Sequence, residues 1–411
     1  MKALIIVGDG IADRPIPELN GKTPLEAANI PNMNKLAQMG ISGLMDPVAP
    51  GVRAGSDIAH LSIFGYNPFE VYTGRGPIEA VGAGIELKEN DVALRCNFAT
   101  ADDNFRLIDR TAGFIREGGE ELAQALNQIQ FESAKGVQLI FKVSADYRAV
   151  LVLRGRGLSS KVTDCYPRIG EPLNEIQPIN RTKIAYKTAR ILNEFLKKSH
   201  EILKTHPVNQ ARIQTGKPVA NVILTRGAGK LPKVEPFSQK YGLKGACIAG
   251  VGLIKGVFKL LGFDVIDVPG ATGYIDTDVN AKAQAALEAL KTNEVVLIHI
   301  EGSDEVSHEG MLEAKIKMIE RIDSMVGKIL EQVSLDETYV VLLSDHTTPI
   351  LVRDHTADPV PVTICGPGVR KDGVQAFNEK AVVMGGLNRI RGSDFIPILL
   401  DLMGKAKKFG A

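Results

Sequence analysis

Two short stretches in the C-terminal half combine carboxylates with imidazoles: Asp304-Glu-Val-Ser-His308, and Ser344-Asp345-His346 followed nine residues later by His355. Asp and neutral His are ligands of borderline divalent metals, and two carboxylates with three imidazoles can furnish a two-metal site. The chain has only seven His, and three of them fall within these 52 residues, each near an Asp. A third carboxylate, Asp9, follows the apolar run Ala3-Leu-Ile-Ile-Val7. A candidate nucleophile lies in Arg53-Ala-Gly-Ser56-Asp57-Ile-Ala-His60. There a small-residue turn leads into a helical start and puts the Ser56 hydroxyl at or near a helix N-terminus, where backbone N–H groups and the helix dipole favour anions. A bound metal can deprotonate such a hydroxyl without a histidine base. The same pattern also suits a plain N-cap serine. His60, four residues on beside Leu61 and Phe64, reads equally as a packed core histidine and as a catalytic group.

These groups need a scaffold that brings distant segments together. Residues 3–7 form a continuous apolar run broken at Gly8-Asp9-Gly10, as expected of a buried parallel strand delivering a carboxylate at its C-terminal edge. Val295-Val-Leu-Ile-His-Ile300 leads in the same way to Glu301-Gly-Ser-Asp304, and Tyr339-Val-Val-Leu-Leu343 leads to Ser344-Asp345-His346. Between them Leu312, Ile316, Ile319, Ile322, Val326 and Leu330 recur at helical spacing. Strand, helix, strand predicts a right-handed crossover in a mainly parallel α/β sheet. The first strand must join the other two across most of the chain, which predicts an insertion. Residues 77–235 differ from their flanks: a hairpin is expected from 137–143 and 149–153, a long amphipathic helix over 182–205, and a strand over 221–224. Gly229-Lys-Leu-Pro-Lys-Val-Glu-Pro-Phe reads as a linker, and Lys405 to Ala411 as a frayed tail.

Composition narrows the function classes. A length of 411 residues exceeds one ordinary core, and the net charge of +1 leaves no footprint for nucleic acid or an anionic membrane. No stretch reaches the ~18–20 apolar residues of a membrane helix. The four Cys form no CxxC pair, and the opening MKALIIVGDG is too soon interrupted for a signal peptide. The expectation is a reduced, cytoplasmic, globular protein acting on a small molecule.

The order Asp9, Ser56, Asp304-x-x-x-His308, Asp345-His346, His355 resembles the metal and nucleophile set of the alkaline phosphatase superfamily. Thr23-Pro-Leu-Glu-Ala-Ala-Asn-Ile-Pro-Asn resembles its first helical region. A closer resemblance, along nearly the whole chain, is to the archaeal-type 2,3-bisphosphoglycerate-independent phosphoglycerate mutases. It is carried by Arg53 to Tyr66, Val71-Tyr-Thr-Gly-Arg-Gly-Pro-Ile-Glu-Ala80, Arg95-Cys-Asn-Phe-Ala-Thr100, His206-Pro-Val-Asn209, Arg226-Gly-Ala-Gly229 and Gly252-Leu-Ile-Lys255-Gly256.

The resemblance implies an alkaline-phosphatase-like three-layer α/β domain, residues 1–76 and 236–411, interrupted by a smaller inserted α/β domain, residues 77–235, that binds substrate and acts as a lid. It implies two divalent ions, manganese first, with cobalt or zinc compatible with the donors. One would be held by Asp304, His308 and His355, the other by Asp9, Asp345, His346 and Ser56. Ser56 would take the phosphoryl group of 3-phosphoglycerate and return it to the 2-hydroxyl of glycerate, giving 2-phosphoglycerate in glycolysis or gluconeogenesis. A substrate with phosphate and carboxylate calls for cationic clamps, for which Arg95, Arg110, Arg154, Arg226 and Lys255 are candidates. For each of these a surface salt bridge is the competing use. His206 and Asn209 either position glycerate or cap a turn. One departure stands out: where Asp-Thr-Asp-Pro-His is expected at 164–168, this chain has Asp164-Cys-Tyr-Pro-Arg168. The same metal core would also suit a phosphomonoesterase or another phosphomutase, and a non-catalytic metabolite or metal sensor is the reading from a different class.

Overall fold

The N-terminal apolar run forms the strand Lys2–Gly8, buried at every residue after Lys2. In the computed structural model, which describes residues 1–408 and 410, this strand lies between Thr338–Leu343 and Val295–Ile300 and runs parallel to both. A strand covered on both faces has no solvent side, so its sequence is continuously apolar rather than alternating. The full eight-stranded order is Asn388–Arg391, Ile41–Asp46, Val360–Cys365, Thr338–Leu343, Lys2–Gly8, Val295–Ile300, Gly245–Ile248 and Asp264–Ile266. All neighbours are parallel except Val360–Cys365, which is antiparallel to the strand on each side. The mixed α/β, mainly parallel architecture agrees with the expectation from sequence.

The predicted amphipathic helix is Leu312–Gln332. It packs Met318, Ile319, Ile322, Met325, Val326 and Ile329 into one cluster with the strand residues Leu4, Ile6, Ile298 and Leu342. Burying six such side chains contributes on the order of 10 kcal/mol before conformational entropy is charged against it. The pairs Gly8↔Ile300 and Val7↔Leu343 set the three central strands in register at their C-terminal ends. Asp9, Asp304 and Asp345 therefore leave the sheet at one edge, where open α/β sheets carry their ligands.

Residues cluster into two compact units, Met1–Val71 with Val234–Ala411, and Tyr72–Lys233. The second unit is built on an antiparallel sheet. Its central strand, Val92–Ala101, is buried at all ten positions. The hairpin is Gln138–Ala145 with Arg148–Arg154, and the long helix is Lys183–Thr205, started by the Thr182 hydroxyl accepting from the Ala185 N–H. Phe195 of that helix meets Phe141 at 5.9 Å between ring centroids within the unit's own core. The strand expected over 221–224 extends as Val222–Gly229, because pairing with Val92–Ala101 carries it through a glycine-rich segment of low intrinsic strand preference. No described helix is long and apolar enough to cross a membrane. The tail expected from Lys405 runs into Phe409 and Ala411, which lie outside the described residues.

Candidate metal centre and nucleophile

Each central strand hands its acidic group to the site through a different local device. Asp9 follows Gly8 directly, and Gly10 (φ +59°) turns the chain away. A Cβ on Gly10 would stand 2.6 Å from Asp304 Oδ1 and 2.7 Å from Thr348 Oγ1, so only glycine fits there. Asp304 and His308 sit on the helix Gly302–Glu309 four residues apart, hence on one face. Asp345 and His346 leave Thr338–Leu343 in an irregular loop that also carries His355. Ser56 is the first residue of the helix Ser56–Ile63, and its N-cap is Gly55. The serine is therefore not the cap; its Oγ lies 3.1 Å from His346 Nε2.

The seven residues expected at the centre converge. His346 Nε2 is 3.1 Å from Asp9 Oδ1 and 3.5 Å from Asp345 Oδ2. His308 Nε2 is 3.3 Å from Asp304 Oδ2, and His355 Nε2 is 3.6 Å from Asp304 Oδ1. Among these seven residues two triads bring their donor atoms within 4.8 Å of one another, Asp9–Asp345–His346 and Asp304–His346–His355; His60–His299–Asp345 and Asp9–His299–Glu301 do so with neighbouring residues. His308 stands on the more open side of the Asp304–His346–His355 triad.

The outer nitrogens of the imidazoles show how well this set suits cations. His308 Nδ1–H donates to the Arg353 carbonyl (3.0 Å), and His355 Nδ1–H donates to the Ala54 carbonyl (2.8 Å). A carbonyl only accepts, so in each neutral ring Nε2 holds the lone pair. The two Nε2 atoms face each other at 3.2 Å. Two lone pairs at that distance repel unless a cation or proton lies between or beside them. At the other triad Asp345 Oδ2 is buried with no hydrogen-bond partner, and Asp9 Oδ1 faces only His346 Nε2 at 3.1 Å. The residues fit two divalent ions.

Electrostatics point the same way. Burial and then the charge of Asp304 push the Asp9 carboxyl up, and burial and then Asp9 push Asp345 well up. Burial also opposes ionisation of Asp304, yet contacts with His308 and His355 hold it well below the carboxylate range. Asp304 in turn raises His308 to about 9. Positive charge among these atoms would relieve the repulsion between the Asp9, Asp304 and Asp345 carboxylates.

Several supporting groups surround the centre, most of them with no sequence signal of their own. Thr348 Oγ1 donates to Asp304 Oδ1 (2.5 Å) and lies 3.1 Å from His346 Nδ1, so one hydroxyl touches both triads. Lys315, fully buried, donates to Asp13 Oδ2 and to the carbonyls of Ala12 and Thr348. His60 Nδ1–H donates to the Ser56 carbonyl at 2.7 Å, and burial holds this imidazole neutral. His299 lies inside a strand with Nε2 3.3 Å from Asp9 Oδ2. Only His60 had a readable sign, its i+4 spacing from Ser56.

The candidate substrate groups divide. In the second unit Arg95 is buried on Val92–Ala101, its register partner is Arg226, and Glu79 lies 3.8 Å from its Nε. Arg110 and Arg226 both lie over the Tyr166 ring. Arg154 is elsewhere on the sheet, paired with Asp91 at 2.7 Å. Asn209 is buried and spends its amide on Leu203 and Ala220 backbone groups, while His206 caps the helix Pro207–Gln214 through the Val208 N–H. Those two residues therefore close a turn. Lys255, in the first unit, lies on the helix Gly252–Leu260 with its amine 2.6 Å from Asp267.

Comparison with known proteins finds relatives along the whole chain. Residues 37–209 match the family model described as 2,3-bisphosphoglycerate-independent phosphoglycerate mutase. The chain is 52% identical over 413 residues to 2,3-bisphosphoglycerate-independent phosphoglycerate mutase 1 of Methanothermobacter thermautotrophicus, covering all of both chains. It is 50% identical over 417 residues to the mutase of Methanopyrus kandleri, covering all of this chain and 98% of that one. Among solved structures, the cofactor-independent phosphoglycerate mutase of Thermoplasma acidophilum is 35% identical with a TM-score of 0.69, over 98% of this chain and all of the other. A Pyrococcus horikoshii protein reaches a TM-score of 0.86 at 41% identity, over 100% of this chain and 99% of that one.

Proposed function

The chain belongs to the 2,3-bisphosphoglycerate-independent phosphoglycerate mutases, enzymes that interconvert 3- and 2-phosphoglycerate, and on that premise we propose that it carries the phosphoryl group on Ser56 at a centre for two divalent cations. The observation behind this reading is the placement of Ser56: a helix N-terminal hydroxyl, spared from capping, 3.1 Å from His346 beside the buried carboxylates of Asp9 and Asp345.

In the forward reaction Ser56 Oγ attacks the phosphorus of 3-phosphoglycerate in line. The Ser56 O–P bond forms, the P–O3 bond breaks, and O3 leaves as the glycerate hydroxyl once it takes up the proton that the serine gave up. Glycerate re-orients, its 2-hydroxyl oxygen attacks the phosphoserine, and the proton returns to Ser56 as 2-phosphoglycerate forms. Manganese ions, held by Asp304, His308 and His355 and by Asp9, Asp345, His346 and Ser56, would lower the hydroxyl pKa and offset charge on the phosphoryl oxygens. Cobalt and zinc suit the same donors. The positive end of the helix dipole at Ser56 favours negative charge developing there. His60 fixes the serine from behind through its carbonyl. Arg95, Arg110 and Arg226 of the second unit, with Lys255, are the proposed holders of substrate phosphate and carboxylate. We place the enzyme in the cytoplasm, in keeping with four free, buried cysteines.

The test follows 3-phosphoglycerate by phosphorus NMR with metal-stripped protein and no 2,3-bisphosphoglycerate. Adding manganese should start conversion to 2-phosphoglycerate with little free phosphate, and the Ser56→Ala protein should stay inert. Free phosphate as the main product would make hydrolysis the activity and overturn the reading.

A further inference from the structure

The segment 164–168, where this chain departs from the expected pattern, is tied to the sheet of the second unit by a two-way bridge. The Cys165 N–H donates to the Thr225 carbonyl (2.9 Å) and the Thr225 N–H to the Cys165 carbonyl (3.0 Å). The bridge brings the next side chain, Tyr166, against Arg226. The Arg226 guanidinium carbon lies 4.6 Å from the Tyr166 ring centroid, and that of Arg110 lies 5.1 Å from it. Two cations thus share one aromatic ring. Asn97 sets its orientation: the buried amide donates to the Tyr166 hydroxyl (3.3 Å) and to the Arg110 carbonyl (3.1 Å). Arg110 is fastened again by its Nη2, which donates to the Pro167 carbonyl (2.9 Å).

Charge explains why a ring is useful there. Glu79 is occupied by Arg75 at 3.0 Å, with Arg95 at 3.8 Å. Asp164 turns one oxygen to the Gly227 N–H. Burial pulls Arg226 and Arg95 below the usual guanidinium range, and Arg75 adds repulsion to both. The Nε atoms of Arg95, Arg110 and Arg226 are buried without hydrogen-bond partners. A carboxylate at position 166 would gather Arg110 and Arg226 by pairing with them, and would occupy the forks an anionic ligand needs. An aromatic face attracts a guanidinium through its quadrupole and leaves the N–H groups available.

We propose that Tyr166 is a positioning residue, holding Arg110 and Arg226 together as one anion-binding pair without cancelling their charge. The inference rests on the assignment of these arginines to phosphoglycerate. Its action is on substrate affinity, with no part in the transfer itself.

The chain contains no tryptophan, so Tyr166→Trp keeps an aromatic face and adds a unique fluorophore. In the manganese-loaded enzyme, its emission should change as 3-phosphoglycerate is added, with a midpoint near the KM of that variant. Tyr166→Leu removes the ring at similar bulk and should raise KM about tenfold, the loss expected of two weak cation–π contacts, with kcat falling less than threefold. Tyr166→Phe should recover most of that affinity, because the ring remains. A role confined to folding would lower thermal stability without this split between KM and kcat. An unchanged KM in Tyr166→Leu, beside a raised KM in Arg226→Ala, would overturn the inference and leave the arginines as substrate ligands. If neither variant moves KM, the assignment of the arginines fails as well. Equal losses in the Phe and Leu variants would assign the effect to the hydroxyl and overturn the role of the ring.

Discussion

His308 and His355 turn their Nδ1–H groups outward to backbone carbonyls and leave their Nε2 atoms facing each other at 3.2 Å. Ligand tautomers are fixed in this way by groups behind them, and the same logic singles out Thr348, whose hydroxyl touches Asp304 and His346 together. Thr348→Val keeps the shape and removes the oxygen, leaving Asp304 Oδ1 without that donor. We expect manganese affinity to fall about 10–100-fold, read by calorimetric titration of the stripped protein; affinity equal to the parent would show that Thr348 does not organise the centre. Legibility at this scale followed chemistry. Asp9, Asp304, His308, Asp345, His346 and His355 stood out because acidic and imidazole groups clustered after apolar runs. Thr348, Lys315 and His299 did not, because a threonine in a loop, a lysine on a helix and a histidine inside a strand are ordinary until their partners are known. Arg154 and Asn209 drew notice the other way: their residue types suited substrate, and their partners, the Asp91 carboxylate and the Leu203 and Ala220 backbone groups, leave no trace in the local sequence.

Among elements, the decisive joint is the helix Leu312–Gln332 against the loops that follow Lys2–Gly8 and Thr338–Leu343. Lys315 bonds Asp13, Ala12 and Thr348 at once, so a single buried ammonium closes both loops behind the centre. Lys315→Met leaves the Asp13 carboxylate buried and unpaired, and should cost about 3–5 kcal/mol of stability in denaturant melts. Changing Asp13 to Asn in the same protein should restore part of the loss; no recovery would mean that charge pairing is not the cause. The central strands and this helix were legible because each repeats one period over enough residues to register. The short strands Ile41–Asp46, Asp264–Ile266 and Asn388–Arg391, and the glycine-rich end of Val222–Gly229, were not. Those segments are strands because neighbours pair with them, and pairing leaves little trace in a local pattern.

At the scale of the whole chain, every proposed metal ligand belongs to the unit Met1–Val71 with Val234–Ala411. Bound ions should therefore stabilise that unit alone, by about 2.7 kcal/mol at a hundredfold excess over Kd. Hydrogen exchange followed by peptide, with manganese and with chelator, should show protection gained in the first unit and none within Tyr72–Lys233. Equal protection in both would place metal ligands beyond those named. The second unit is one continuous segment with its own core, and residues 72–233 expressed alone should fold with a cooperative melt. An insertion was expected because the first strand had to meet partners some 290 residues away, and a change of pattern put it at residues 77–235; the second compact unit spans Tyr72–Lys233. The phosphoserine account is tested most directly by quenching the manganese-loaded enzyme in acid during turnover of 3-phosphoglycerate and locating phosphate by peptide mass spectrometry. The prediction is a phosphorylated peptide with the modification on Ser56. Active turnover with Ser56 unmodified and phosphate on another side chain would contradict it.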